Sequence, residues 1–152
     1  MKIRAGSPKD YPEIVRVSNL AMPEYELTIE LLKSYDTTRA SKCKAGYFVA
    51  EDDGAVVGFS RYMQFADVYH PQVFYVTVQV QPDHQQKGIG KQMHEALSTA
   101  LAEDQPISFK STMYDGNTGA DQFSKKFGYV EYSRRIESKL TVADCDLSDF
   151  VP

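Results

Sequence analysis

The sequence predicts an α/β fold of the α+β kind, with a central mixed β-sheet of about six to seven strands flanked by about four helices. Three observations carry this expectation. An Asp-Gly pair sits between two apolar runs. The stretch Val73-Phe74-Tyr75-Val76-Thr77-Val78-Gln79-Val80 is followed by a helical pattern and then by another strand pattern. Read end to end, the order is strand, two helices, three strands, helix, strand, helix, then one or two strands.

Lys2 to Ala5 reads as a short edge strand, and Ser7-Pro8-Lys9-Asp10 as a helix start, with a capping hydroxyl, proline at the first helical position and an acid following. Ile14, Val17 and Ala21 give that helix its apolar face. Pro23 breaks the chain before a second helix, which Thr28 can cap and whose Ile29, Leu32 and Tyr35 share a side. Gly46 to Ala50 and Ala55 to Phe59 flank Asp52-Asp53-Gly54 and form a hairpin. Val73 to Val80, with Val76, Val78 and Val80 alternating onto one face, belongs in the middle of the sheet. After Gly90, the residues Met93, Ala96, Leu97, Ala100 and Leu101 recur at helical spacing, and Pro106 precedes a strand over Ile107 to Thr112. Asn117 starts a last helix with Ala120, Phe123 and Phe127 on one side, and Gly128 ends it. Tyr129 to Tyr132 and Arg135 to Leu140 are expected to finish the sheet. Residues 1–140 form one domain and 141–152 an acidic tail.

At 152 residues the chain has the length of one domain. Hydrophobic residues at 42% and charged residues at 25% exclude the profile of disorder. A net charge of -4 excludes a general basic surface, so neither nucleic acid nor an anionic membrane is an expected partner, and a phosphate site has to be local. Cys43 and Cys145 lack the close Cys or His spacing of a metal site, so free thiols and no metal are expected. No stretch is apolar for long enough to cross a bilayer, which suits a cytoplasmic location.

The loop Gln81 to Lys91, between the strongest strand and the clearest helix, holds the chemistry. Pro82 stops the strand. Gly88 and Gly90 let the main chain approach a ligand, with unpaired amides and the positive end of the helix dipole facing it. Lys87 and Lys91 add local positive charge. A P-loop would need Gly at Gln85 and Ser or Thr at Gln92, and a dinucleotide fingerprint would need Gly at Met93. A glycine-containing turn before an ordinary helix is the plain alternative.

Taken whole, Val80-Gln81-Pro82 followed by Gln85-Gln86-Lys87-Gly88-Ile89-Gly90 resembles the main motif of the GNAT superfamily of N-acetyltransferases. Asn117, Ala120, Phe123, Lys126, Gly128 and Tyr129 resemble its second conserved stretch. The resemblance implies the acyl-coenzyme A N-acyltransferase fold, with acetyl-coenzyme A as cosubstrate and a primary amine of a small molecule or peptide as acceptor, attacked directly in a ternary complex. It implies that Gln85, Gln86, Lys87, Gly88, Ile89, Gly90 and Lys91 bind the pyrophosphate. Val78 and Val80 would pair with the pantetheine arm, and Asn117 and Phe123 would line its far side. In the family a bulge splays the central strand from its neighbour and opens a wedge for the thioester.

Where many members carry a catalytic carboxylate this chain has Phe74, and where many carry a tyrosine acid it has Ser124. Tyr114 and Ser124 remain as candidate acids, and His70, beside Asp67 and Tyr69, as candidate base. Ten tyrosines in a small domain make a structural role the competing reading for Tyr114, and a solvated loop position is that for His70. His84 and His94 take plain structural readings. These departures keep alive a second function, a non-catalytic acyl-coenzyme A-binding domain that acts as a sensor or as the degenerate half of a tandem protein. Homodimerisation, common in the family, is left open by the absence of a second apolar helix face.

Overall fold

The structure, a computed structural model, describes residues 1–138 and residue 141. Asp53 and Gly54 both take left-handed backbone, φ 48° and 83°, the pattern of a type I′ turn, which matches the twist of the strands it joins. The turn folds β2 (Ala45–Asp52) onto β3 (Ala55–Met63), and Asp52 pairs with Ala55 directly across it. β1 (Lys2–Ala5) adds to the outer edge of β2, and β4 (Val73–Val80) pairs antiparallel with β3. β5 (Ser108–Lys110) joins β4 in parallel, which gives a mixed five-stranded sheet in the order β1-β2-β3-β4-β5.

Ser7 and Asp10 form the expected capping box, but the first turn, Pro8–Asp10, is 3-10 in form, and α1 (Tyr11–Ala21) follows it. Two Arg4 nitrogens reach Asp10 at 3.0 and 2.7 Å, and hold its carboxyl down at about 2. Thr28 caps α2 (Ile29–Thr37) through a hydrogen bond from the Leu31 amide, 3.1 Å. α3 (Ile89–Ala100) buries Ile89, Met93, His94 and Leu97.

The two faces of the sheet receive different helices. A Cβ built on Gly58 would lie 3.0 Å from Met93 Sδ, and Ser60 Oγ donates to the Met93 carbonyl at 3.4 Å, so these β3 positions face α3. Alternation sends Phe59 and Gln79 to the other face, where Gln79 Nε2 lies 3.8 Å from Met22 Sδ, just past α1. Ile14, Val17, Leu32, Val49, Phe59 and Met93 form the heart of the core.

The chain divides into two units, Met1–Thr112 and a second that begins at Met113. The second contains α4 (Thr118–Lys126), capped by Asn117, whose Oδ1 accepts from the Ala120 amide at 3.0 Å. The helix closes as expected at Gly128, φ 77°. Gly128 N–H donates to the Lys125 carbonyl and Tyr129 N–H to that of Ser124, the two bonds of a Schellman motif.

The sheet differs from expectation at its end. Among the described residues it has five strands, not six to seven, because Tyr129–Tyr132 and residues 135–138 take no strand conformation. Val130 and Ile136 are 82% and 87% exposed, so the apolar pattern that suggested these strands does not mark a buried face. Lys139, Leu140 and, apart from Thr141, the acidic tail lie outside the described residues.

Candidate functional site

β5 pairs with β4 only from Val73↔Ser108 to Tyr75↔Lys110. Beyond that point, among the described residues of this unit, β4 runs on for five residues with β3 as its strand partner. The Gln81 amide donates to the Val57 carbonyl at 2.8 Å, and this fixes which residues turn which way. Tyr75, Thr77 and Gln79 aim their N–H and C=O groups at β3, while Val76, Val78 and Val80 aim theirs at the side β5 leaves open. The register from Gly58↔Val80 to Met63↔Tyr75 is unbroken, so the opening comes from the shortness of β5 and not from the expected bulge in β4.

The loop after β4 is held by its own side chains. Pro82–His84 form a 3-10 turn, and Gln85 Nε2 donates to the Val80 carbonyl at 3.0 Å. Lys87 Nζ donates to the Asp83 carbonyl at 2.9 Å. Gln86 takes left-handed backbone, φ 60°, and so does Gly88, φ 80°, the residue before α3. Left-handed Gly88 followed by right-handed Ile89 is the dihedral alternation of an anion-binding nest. The first intrahelical bond runs from Gln92 N–H to the Gly88 carbonyl, so the amides of Ile89, Gly90 and Lys91 lie in the first turn, where no preceding carbonyl serves them. Dipole and amides together favour an anion at this point. Gly90 is an ordinary helical residue here, and Lys91 Nζ lies 3.7 Å from Glu95.

The fold thus brings Gln85, Gln86, Lys87, Gly88, Ile89, Gly90 and Lys91 next to the open edge at Val78 and Val80. It does not bring His70 there. That residue precedes β4 at its opposite end, and at about 3.3 Å per residue Val73 is already roughly 20 Å from Val80. His70 Nδ1 accepts from the Gln72 amide at 3.1 Å, and buried Gln64 donates to its carbonyl at 2.9 Å, so the segment acts as a turn. Tyr114, Asn117, Phe123 and Ser124 belong to the second unit. There the Asn117 side chain is occupied with its cap, Phe123 stacks on Phe127 at 4.7 Å between centroids, and Tyr114 is exposed. His94 is buried in α3 beside Phe109, its ring centroid 6.0 Å away, and burial pushes its pKa down. His84 Nδ1 is buried without a partner.

A second polar cluster escaped the sequence reading. Arg61 of β3 stands opposite Tyr47 of β2 and Thr77 of β4, and its guanidinium lies 5.0 Å from the centre of the Tyr35 ring on α2. Burial pushes the Tyr47 and Tyr35 hydroxyls up. The signal available was one charged residue in a strand whose neighbours Phe59, Ser60 and Met63 are buried. Among the described residues no group of three or more His, Cys, Asp or Glu could hold a metal, and no helix is long and apolar enough to cross a membrane.

Comparison with known proteins agrees with this geometry. The family model described as an acetyltransferase (GNAT) domain matches residues 43–131. Similar solved structures include a mutant protein from Bacillus halodurans, 17% identical with TM-score 0.70, which covers 93% of this chain and 100% of its own. An N-acetyltransferase from Staphylococcus aureus Mu50 is 19% identical with TM-score 0.70, covering 84% of this chain and 81% of its own. AAC(6')-Iy, in complex with the bisubstrate analog CoA-S-monomethyl-acetylneamine, is 18% identical with TM-score 0.67 and covers 92% and 97%. No curated protein sequence matches significantly.

Proposed function

Because the chain belongs to the GNAT acetyltransferase family, we propose that it transfers an acetyl group from acetyl-coenzyme A to a primary amine by direct attack in a ternary complex. The observation that carries this reading is the left-handed Gly88 at the mouth of α3, directly beside the unpaired edge of β4. The amides from Gln86 to Lys91 fit a pyrophosphate. The edge groups of Val78 and the amide of Val80, whose carbonyl accepts from Gln85, fit the amides and carbonyls of a pantetheine arm, which would lie along β4 as an added strand. An outward amide of β4 is placed to polarise the thioester carbonyl, a contribution that can reach a few kcal/mol.

In the reaction the amine lone pair forms a C–N bond, the C–S bond breaks, and the thiolate leaves and is protonated. No protein nucleophile is needed. His70, at the other end of β4, could act as base only through water, and such a water-borne route is the one proposed for the amine proton. Tyr114 and Ser124 stay as the hydroxyls proposed for the departing thiolate, and Tyr114→Phe and Ser124→Ala test them through kcat. The buried free thiol of Cys43 suits a reducing, cytoplasmic setting.

Two observations favour the second reading, a binding domain without turnover: the base expected at Phe74 is replaced by a fully buried ring, and His70 is tied into a turn. Purified protein mixed with acetyl-coenzyme A and a panel of amines separates the two. Steady release of free thiol that depends on the amine supports transfer; tight coenzyme A binding with no amine-dependent release supports the sensor. Absence of binding overturns both.

A further inference from the structure

Arg61 and Thr77 are directly opposed across β3 and β4, and directly opposed residues share a face. Gln79, two residues beyond Thr77, shares it too. This is the α1–α2 face, where Arg61 lies by the Tyr35 ring and Gln79 by Met22.

Each of the two side chains lacks something. Arg61 is half-buried and always charged; it lies over the Tyr35 ring and hydrogen-bonds the Tyr47 side chain, yet among the described residues no carboxylate lies within ion-pair distance of it. Asp36, on α2, is engaged by the Tyr11 hydroxyl and by Arg39. A partly desolvated guanidinium without a counter-ion is costly unless a ligand supplies one. Gln79 Oε1 is buried with no donor, and a buried acceptor left unpaired carries a similar penalty. One position asks for an anion, the other for an N–H.

Diagonal cross-strand neighbours such as Arg61 and Gln79 have Cα atoms about 7–8 Å apart. An α-amino acid has its carboxylate and amine about 3 Å apart, so a small molecule of this kind can make one hydrogen bond to each of two neighbouring side chains on the same face. Gln79 also lies between Val78 and Val80, whose main chain faces the open edge, so an amine held at Gln79 is next to a thioester laid along that edge. Resting on the acyl-transfer reading, we propose that the acceptor is an amine that also bears a carboxylate, an amino acid, with Arg61 holding the carboxylate and Gln79 Oε1 accepting from the amine. A polyamine or an amino sugar without an acid would bring positive charge to Arg61 and be disfavoured there.

The test uses paired acceptors that differ only in the acid: a set of free amino acids and their primary amides, with acetyl-coenzyme A and thiol release as readout. For the wild type, kcat/KM is expected to be roughly 30-fold or more higher for the free acids, the scale of a hydrogen-bonded charge. In Arg61→Gln that preference collapses toward unity, chiefly through KM, while coenzyme A affinity by calorimetry is unchanged; Arg61→Lys retains part of it. Preference of the wild type for amides or carboxylate-free diamines overturns the proposal by itself, whether or not a variant folds, and so does an intact preference in folded Arg61→Gln. Failure to bind coenzyme A would instead overturn the acyl-transfer reading, and this one with it.

Discussion

At Gly88 a methyl group would meet no atom within 4 Å, so a side chain there is opposed by the backbone conformation alone. Gly88→Ala is expected to cost about 1–2 kcal/mol, the penalty of left-handed backbone for an L residue, and to weaken coenzyme A binding as the loop relaxes. Gly88→Asn, which tolerates that conformation, should keep more of both. Urea denaturation and calorimetric titration of the two variants check this. Asp10 gives a prediction in pH. Its carboxyl is depressed to about 2 by Arg4, from an ordinary 3.8, so its contribution is fully present above about pH 4 and is lost as pH falls through 2. The Asp10→Asn variant should lose the part of the acid unfolding curve between those values, which is measurable by circular dichroism from pH 5 to 1.5. His94 has the same direction of pH dependence by a different cause. Burial lowers its pKa, so stability falls as pH drops below about 6.5, where the unfolded imidazole takes up a proton. The loop residues were legible because their chemistry is contained in one contiguous string. Arg61 and Gln79 were not, since a strand's sequence says neither which residue opposes which nor which helix covers the face.

Among the elements, α3 and β4 were readable from their periods, 3.6 and 2, and the β2–β3 hairpin from one Asp-Gly pair. Their junction is tight. The Cβ of an alanine at Gly58 would lie 3.0 Å from Met93 Sδ and 3.1 Å from the Gln79 carbonyl, so Gly58→Ala is expected to destabilise by about 1–3 kcal/mol. Part of this should be recovered when Met93 is shortened, and thermal melts of the single and double variants measure it. The strands expected after α4 show the limit of local reading: Tyr129, Val130, Glu131 and Tyr132 have the composition of a strand, but a strand exists only where a partner edge accepts its hydrogen bonds. The cap of α4 was legible at Asn117, which starts the helix as expected and accepts from the Ala120 amide. Asn117→Ala should therefore lose about 1 kcal/mol of stability while Asn117→Asp keeps it.

For the whole molecule, the string from Val80 to Gly90 and the stretch from Asn117 to Tyr129 indicated the family, and the order of elements and the length agreed with it, because fold class depends on the sequence of periods and not on any single contact. The acceptor class proposed here was beyond reach, because that proposal rests on side chains that three strands and two helices bring together. A ligand that binds only the folded chain stabilises it by mass action: coenzyme A at 100 times its Kd should add about 2.7 kcal/mol, or raise Tm by roughly 5–10 °C in a chain of this size. An unchanged melting curve at that saturation would contradict the assignment of the loop. The early end of β5 carries a further consequence. A strand whose outer rim has lost its neighbour is a template for any passing chain, and a protein with such a rim risks sticking to its own copies. On the acyl-transfer reading proposed above, coenzyme A laid along that rim would serve as a stopper as well: concentrated, empty protein should scatter more light on standing than protein kept plugged, even when no acceptor is present and no chemistry takes place.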